Sequence, residues 1–139
     1  MAEEGAGSIG PLHGLRVIEM GQLVAGPFCG QILGDLGAEV IKIEQPGKGD
    51  PIREWGRALP RGESLWWSVI GRNKKSVTVD LRTQRGQTVA ARLISRADIL
   101  VENFRPGTLE RWGLGYEKLS ANNPGHPSQD RSEEHTSEL

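Results

Sequence analysis

The stretch LVAGPF, residues 23–28, is a candidate site for an anionic ligand. It follows a predicted strand and places Ala25, Gly26 and Pro27 at the start of a predicted helix. Backbone N–H groups at a helix start are free to bind phosphate or another anion. Close packing of the helix on the strand would require the same small residues, so this motif alone leaves both interpretations open. The spacing of the glycines does not match the G-x-G-x-x-G motif, which argues against NAD or FAD as the ligand.

Two segments that follow predicted strands carry further residues suited to a phosphorylated ligand. Arg82 ends NKKSVTVDLR, at the carboxyl end of a strand, where a phosphate could reach it. In VENFRPG, Phe104 could stack on a base, and either Arg105 or Arg111, six residues further on, could pair with a phosphate through two hydrogen bonds. Taken singly, each of these residues is more often structural than functional.

No complete catalytic set is recognisable. Cys29 lies within a predicted helix, where we expect it to be packed, and no histidine near it in the sequence could activate it. Glu44 could imitate a ribose-binding acid, but without the glycine loop a solvated acid at a strand end fits better. The remaining aspartates are isolated and are explained by helix capping or surface exposure: Asp35, Asp50, Asp80 and Asp98. The histidines lack the spacing of metal ligands: His13, His126 and His135.

The segments that carry these residues alternate between strand and helix patterns. Predicted strands cover residues 15–20, 39–44, 75–81 and 97–101; predicted helices cover 27–36 and 108–119, and two more begin at caps Ser64 and Thr83. This alternation predicts an α/β fold, with a parallel sheet and flanking helices. Ligands of such sheets bind beyond the carboxyl ends of the strands. The loops expected to carry function are therefore 21–26, 45–50, 82–84 and 103–107.

The first predicted helix has two distinct faces. The apolar stripe consists of Phe28, Ile32, Leu33 and Leu36, and a second, smooth face consists of Gly26, Gly30 and Gly34. Gly37 is expected to end the helix in the left-handed conformation.

The composition predicts one soluble, cytoplasmic domain. The chain has 139 residues, 36% of them hydrophobic, and its single cysteine excludes an internal disulfide. No run approaches the roughly 18 apolar residues of a membrane span. The first residues, MAEEGAG, lack the features of a secretory signal.

The charge distribution leaves two interpretations open. A formal net charge of -1 argues against nucleic-acid binding, yet residues 72–96 carry seven Lys and Arg against one acid, Asp80. This segment could face a polyanion, or it could be a solvated face with acids nearby in space. Lys74 and Lys75 lie at the opposite end of their strand from Arg82 and are interpreted as surface charges.

Six motifs follow one another in a characteristic order between Leu12 and Pro124. They are LVAGPF, LGDLGAEVIKIE, PGKGDPIREWG, GRNKKSVTVDL, ADILVENFRPG and ERWGLGYEKLSANNP. Together they closely resemble the start of the family III CoA-transferases of the CaiB/BaiF type, which include formyl-CoA, carnitine and succinyl-CoA:dicarboxylate transferases. The resemblance implies the incomplete N-terminal portion of a larger Rossmann-like fold that forms an interlocked homodimer. In this interpretation residues 1–13 are a leader, 14–124 the CoA-binding segment and 125–139 a non-native disordered tail.

The resemblance also implies a ligand, coenzyme A, which is polyanionic like NAD but differently shaped. A glycine pattern that differs from the dinucleotide fingerprint is then reasonable. The residues implied to contact CoA are Val24, Ala25, Val79, Asp80, Leu81, Arg82, Asn103, Phe104, Arg105 and Arg111. Two positions depart from the family: Gln45 stands where a basic residue is common, and Gln22 where His or Arg is common.

The reaction that the resemblance implies needs an aspartate nucleophile and no metal. CoA moves from an acyl-CoA to a free carboxylic acid through an aspartyl anhydride and an enzyme-bound thioester. No acid of this chain matches the motif of that aspartate, which is expected beyond Pro124, so we expect the chain alone to be inactive. The last residues, RSEEHTSEL, resemble the in-frame translation of a common sequencing adapter.

Two alternatives stay open at this stage. The chain could be a nucleotide-binding module or an NAD-dependent oxidoreductase half-domain, in which case NAD should stabilise it more than CoA does. It could also fail to fold stably by itself, because an open sheet edge invites aggregation.

Overall fold

A computed structural model describes residues 10–56 and 64–121, which form a four-stranded parallel sheet with flanking helices. The strands are β1 (Arg16–Glu19), β2 (Glu39–Glu44), β3 (Lys74–Thr78) and β4 (Ile99–Val101). Their order across the sheet is β3-β2-β1-β4, and every neighbouring pair is parallel. This order matches the first part of a doubly wound, nucleotide-binding sheet and confirms the predicted α/β class.

Five α-helices and one 3-10 helix lie within the described ranges. They are α1 (Ala25–Asp35), α2 (Leu65–Ile70), α3 (Gln84–Ile94), α4 (Thr108–Arg111), α5 (Tyr116–Ala121) and the 3-10 helix Pro51–Glu54. The two predicted N-caps are confirmed: Ser64 Oγ accepts the N–H of Trp67 at 3.3 Å, and Thr83 Oγ1 accepts the N–H of Gly86 at 3.0 Å.

The third strand is shorter than the predicted range of 75–81. It ends at Thr78, because the chain turns beyond it, where the N–H of Thr83 donates to the carbonyl of Asp80 at 3.1 Å. Leu81 still packs against the core. Its side chain therefore continues the apolar alternation that suggested a longer strand.

The larger apolar core lies between one face of the sheet and the helices α3 to α5. Its buried residues are Ile18, Met20, Ile43, Val79, Ala90, Ile94, Ala97 and Leu114. Leu109 and Trp112 pack against this cluster, which places α4 on the same face as α3. On α3, Ala90 and Ile94 are buried in this core, whereas Val89 is exposed.

On the opposite face, α1 approaches the sheet through its glycines. A β-carbon at Gly30 would lie 2.9 Å from Glu19 Cδ, and one at Gly34 would lie 3.2 Å from the Asn73 carbonyl. The smooth face predicted from the glycine spacing is thus the contact face. Most of the apolar stripe points to solvent instead: Phe28, Ile32 and Leu36 are 50%, 43% and 41% exposed, while Leu33 packs against a smaller core with Val17, Ala38, Val40 and Val101.

Part of the predicted leader is anchored to the end of α1. Residues 10–13 form a turn in which the N–H of Leu12 donates to the carbonyl of Leu36 at 3.0 Å. The predicted tail, residues 125–139, lies outside the described residues. Within 10–56 and 64–121, no helix combines the length and the apolar character that crossing a membrane requires.

Candidate functional site

The candidate site lies at the carboxyl edge of the sheet, between the loops that follow β1 and β4. These strands are neighbours, but the helices after them lie on opposite faces: α1 against the glycine-packed face and α4 against the larger core. Two loops that diverge in this way open a crevice between them, and such crevices bind the ligands of doubly wound sheets. The loops 21–26 and 103–107, which the sequence predicts to carry function, flank this crevice.

A single side chain joins the two loops across this crevice. Asn103 Oδ1 accepts the N–H of Gln22 at 2.8 Å, and Asn103 Nδ2 donates to the Gln22 carbonyl at 3.0 Å. Gly21 and Gly26 leave room for this amide, because a β-carbon at either would lie 3.0 or 3.2 Å from Asn103 Oδ1. The first loop and the β4 loop are thus brought together, and Asn103 has a positioning role that the sequence did not indicate.

The N-terminus of α1 has free backbone donors at this crevice. The helix begins at Ala25, two residues before the predicted start at Pro27, and its N-cap Val24 makes no side-chain capping hydrogen bond. The first turn contains no acidic residue, and Val24 and Ala25 are exposed. Unpaired N–H groups and the positive end of the helix dipole make such a terminus suitable for an anion.

Arg82 lies on an exposed turn after β3, where it is already paired with an acid. Its Nε and Nη2 donate to the two carboxylate oxygens of Asp80 at 2.9 and 3.0 Å. Hydrogen bonds from Arg82 lower the pKa of Asp80, and the same contact raises the pKa of Arg82. The neighbouring Val79 side chain is buried in the core, so a ligand contact there would come from the backbone.

Arg105 in the β4 loop and Arg111 at the end of α4 form no ion pair within the described ranges. The ion pairs found among the described residues include neither Arg105 nor Arg111, and both side chains are exposed. Arg111 Nη2 donates to Thr108 Oγ1 at 3.1 Å. Phe104 meets Trp112 edge to face, with ring centroids 5.2 Å apart, and is partly buried against the core. Its ring is therefore held in place, while the arginines are available to an anion.

The predicted contact residues fall into two groups along the edge. Val24, Ala25 and residues 103–105 gather at the crevice, and Arg111 follows them at the end of α4. Residues 79–82, in contrast, follow β3 at the far side of the sheet. With strands about 4.8 Å apart, β3 and β4 are separated by about 14 Å. A ligand that touched both groups would have to be elongated.

Sequence reasoning missed a buried ionic network next to the crevice. Lys42 Nζ lies 2.6 Å from Glu19 Oε1 and 2.8 Å from Asp50 Oδ2, and it donates to the Gly21 carbonyl at 2.9 Å. Lys74 Nζ lies 2.6 Å from Glu19 Oε2. The Lys42–Asp50 and Lys74–Glu19 contacts are close ion pairs without hydrogen-bond alignment. The strand alternation in EVIKIE, which puts Lys42 on a buried face with Val40, was the signal for this network.

Lys74 is therefore not the surface charge that was predicted. Its side chain is 1% exposed, and Nζ also donates to the Pro27 carbonyl at 2.6 Å. Burial lowers the pKa of Lys74, although contact with Glu19 acts in the opposite direction. Lys75, in contrast, is exposed as predicted and pairs with Glu39.

The prediction of a solvated Glu44 is wrong as well. Glu44 is 5% exposed and accepts hydrogen bonds from Arg53 Nε and Nη2, each at 2.7 Å, and from Ser76 Oγ at 2.6 Å. The N–H of Asp50 donates to it at 2.8 Å. Burial alone would raise the pKa of Glu44, but these hydrogen bonds outweigh it and lower the pKa to about 2. The acid ties the 45–50 loop to the sheet and is not free for a ribose.

Two further expectations are resolved by the structure. Cys29, expected to be packed, is exposed, because it lies off the glycine face of α1. In the basic segment 72–96, four of the seven cations have acidic partners, through the pairs Arg72–Asp35, Lys74–Glu19, Lys75–Glu39 and Arg82–Asp80. This favours nearby acids over a polyanion as the explanation of that segment. Among the described residues, no group of three or more His, Cys, Asp and Glu could hold a metal ion.

The sheet order defines a doubly wound α/β unit, and comparison with known proteins identifies its family. The profile of CoA-transferase family III matches residues 12–125. The chain is similar to a succinyl-CoA--D-citramalate CoA-transferase of Chloroflexus aurantiacus, with 63% identity over 115 residues that cover 83% of this chain and 29% of that protein. It is also similar to the alpha subunit of a succinyl-CoA--L-malate CoA-transferase of the same species, with 53% identity over 83% of this chain and 27% of that protein.

The solved structures lead to the same family. A CAIB/BAIF family protein from Brucella suis superposes with a TM-score of 0.75 and 42% identity, over 82% of this chain and 31% of that one. The chain belongs to CoA-transferase family III. It spans under a third of the length of these relatives. The alternative of a nucleotide-binding module or an NAD-dependent oxidoreductase half-domain is not favoured.

Proposed function

We propose that this chain forms part of the coenzyme A site of an enzyme that moves CoA from an acyl-CoA to a free carboxylic acid, a reaction of the EC 2.8.3 type. The observation that carries the proposal is the neighbouring position of the β1 and β4 loops, which are followed by the uncapped start of α1 and by two arginines, Arg105 and Arg111, that form no ion pair within the described ranges. The family relatives are named CoA-transferases, which supports this ligand over other anions.

The phosphates of CoA account for the chemistry of the crevice. In this proposal the N–H groups at Val24 and Ala25 bind one phosphate group, as a helix start does. Arg105 and Arg111 bind another phosphate with charge-assisted hydrogen bonds. Asn103 holds the two loops together, and Phe104 offers a fixed apolar surface beside them.

The turn after β3 takes the other end of the ligand in this proposal. Asp80, Leu81 and Arg82, with the backbone of Val79, would line the nucleotide portion of CoA. Arg82 would share its guanidinium between Asp80 and a phosphate. An elongated molecule such as CoA suits the separation of about 14 Å between the two edge strands.

The chemical step requires a carboxylate that no acid in this chain supplies by motif. We propose that the aspartate nucleophile lies in a part of the enzyme outside these 139 residues, and that no metal takes part. The full-length protein is proposed to be an interlocked homodimer; one relative is named by its alpha and beta subunits. A cytoplasmic setting is part of this proposal, because a chain with one cysteine suits a reducing compartment.

Titration calorimetry with CoA, with CoA lacking its 3′-phosphate and with NAD tests the proposed ligand. We expect CoA to bind most tightly and NAD most weakly. Arg111→Ala should weaken CoA binding by about tenfold or more, because it removes a charged hydrogen-bond donor. Arg92→Ala is the matched control: Arg92 is an exposed arginine in the last turn of α3, and its loss should leave CoA affinity unchanged.

Tighter binding of NAD than of CoA, or equal effects of the two arginine substitutions, would contradict the proposed site. The chain alone should not transfer CoA from succinyl-CoA to any carboxylic acid. Transfer by these 139 residues, measured by chromatography of the acyl-CoA products, would show that they contain the nucleophile.

A further inference from the structure

Leu23, in the loop between β1 and α1, has a backbone conformation that is unfavourable for its residue type. Its φ is 63°, in the left-handed region, where the β-carbon of an L-residue is crowded. Asn73, the other non-glycine residue with a positive φ in the described ranges, belongs to a type that tolerates this region. A strained leucine persists only where surrounding contacts hold it.

Two buried side chains of opposite charge provide these contacts. Asp50 Oδ1 accepts the N–H of Leu23 at 3.0 Å, and Lys42 Nζ donates to the carbonyl of Gly21 at 2.9 Å. Asp50 Oδ2 and Lys42 Nζ are 2.8 Å apart, and each side chain is 1% exposed. Asp50 Oδ1 also accepts the N–H of Ile52 at 3.0 Å and so caps the 3-10 helix. The contacts with Lys42 and Ile52 thus fix the position of the carboxylate independently of its hydrogen bond with Leu23.

The conformation of Leu23 determines where α1 begins. Val24 follows directly as the N-cap, and Ala25 is the first helical residue. A change of φ at residue 23 would rotate the N–H groups of Val24 and Ala25 away from the crevice. We infer that Asp50 is a positioning residue of the CoA site, an inference that rests on the proposed function: its carboxylate holds Leu23 in the left-handed conformation and thereby fixes the N-terminus of α1 for a phosphate of CoA.

A purely structural role for Asp50 makes a different prediction. In that case the loss of its charge would act through the buried ion pairs, and the effect would not depend on residue 23. If Asp50 acts through the backbone of residue 23, glycine at that position makes it dispensable, because glycine adopts a positive φ without crowding. Alanine keeps the β-carbon and therefore still needs the carboxylate.

The experiment combines Asp50→Asn with each substitution at residue 23 in the 139-residue chain. If the asparagine oxygen stayed on the Leu23 N–H, the amide NH2 would take the place of Asp50 Oδ2 beside the Lys42 ammonium, donor against donor; the oxygen therefore turns to Lys42 and the Leu23 N–H loses its acceptor. We expect Asp50→Asn alone to raise the Kd for CoA by about tenfold. This factor corresponds to the strain of a non-glycine residue with a positive φ, expressed as a ratio of equilibrium constants. In the Leu23→Gly background, Asp50→Asn should raise the Kd by less than about threefold. In the Leu23→Ala background, Asp50→Asn should again raise the Kd by about tenfold. Calorimetry gives the Kd values.

A second measurement does not require Asp50→Asn to fold. Urea unfolding should show Leu23→Gly to be more stable than Leu23→Ala, the reverse of the usual order, because only alanine is crowded at a positive φ. Equal stability, or a more stable alanine variant, would overturn the inference.

Two other results would also overturn it: unchanged CoA affinity in Asp50→Asn, or an equal loss of affinity in the glycine and alanine backgrounds. In both cases CoA still binds the unsubstituted chain, so the proposed function survives. A chain of natural sequence that binds no CoA would refute the proposed function, and the positioning role with it.

Discussion

Replacing Gly30 by alanine tests the close contact between α1 and the buried ionic network. In an exposed helix this change is stabilising by about 1 kcal/mol, because alanine is the better helix former. Here the new β-carbon would lie 2.9 Å from Glu19 Cδ and would overlap Glu19 Oε2. Glu19 cannot move aside, because its two oxygens lie 2.6 Å from Lys42 Nζ and Lys74 Nζ. The substitution must therefore shift the helix or break an ion pair.

The expected destabilisation follows from these two routes. Overpacking of a tight contact costs about 1–3 kcal/mol, and disruption of a buried ion pair costs about 3–5 kcal/mol. The helix-propensity gain of about 1 kcal/mol offsets part of either cost. The net loss is about 0–2 kcal/mol if the helix shifts and about 2–4 kcal/mol if an ion pair breaks, and because the new β-carbon overlaps Glu19 Oε2 we expect about 2 kcal/mol, where the two ranges meet.

Urea unfolding followed by far-UV circular dichroism measures this change. Cys29→Ala is the matched control, since it alters the neighbouring residue on the exposed side of α1 and should change stability by less than about 0.5 kcal/mol. A Gly30→Ala chain as stable as the natural sequence would refute the packing of α1 described here, because it would mean that the helix stands clear of Glu19.

Two further changes test the residues that hold the loops and helices. Hydrogen bonds lower the pKa of Glu44 from 4.5 to about 2 in the folded state; its carboxylate therefore stabilises the fold above pH 4.5, and this contribution is lost as the pH falls toward 2. Unfolding free energies measured over this range should fall by about 3 kcal/mol more for the natural sequence than for Glu44→Gln, and parallel profiles would rule out this role. Thr83→Ala should destabilise the chain by about 1 kcal/mol through loss of the α3 cap. Thr83→Ser keeps the hydroxyl and should change the urea midpoint little. An equal loss of stability in the two variants would exclude the capping hydrogen bond.

Local signals in the sequence were sufficient for the elements and their order. The strand EVIKIE was predicted with the bounds that β2 has, because its β-branched residues are followed at once by a proline and glycine loop. Ser64 and Thr83 were recognised as caps because capping depends on residues three positions apart. The alternation of strands and helices then indicated the parallel sheet and the edge at which a ligand binds.

Features that depend on contacts distant in sequence could not be predicted in the same way. Glu44 and Lys74 look solvated when considered alone, and only the pairing of β2 with β3 brings Ser76 and the network around them. The apolar stripe of α1 suggested a buried face, but glycines allow the backbone to come so close that Phe28 and Ile32 remain outside. Asn103 and Gln22 are 81 residues apart, and no local pattern indicates their hydrogen bonds.

The ionic network contains two ammonium groups, of Lys42 and Lys74, and two carboxylates, of Glu19 and Asp50. Its charges therefore sum to zero, and it adds no net charge beside the crevice. The attraction for an anion there comes from the helix dipole and from exposed guanidinium groups, which dissolved ions screen within about 10 Å at 0.1 M ionic strength. The affinity for the ligand should thus fall as ionic strength rises, whereas the buried network that supports the crevice should be screened much less.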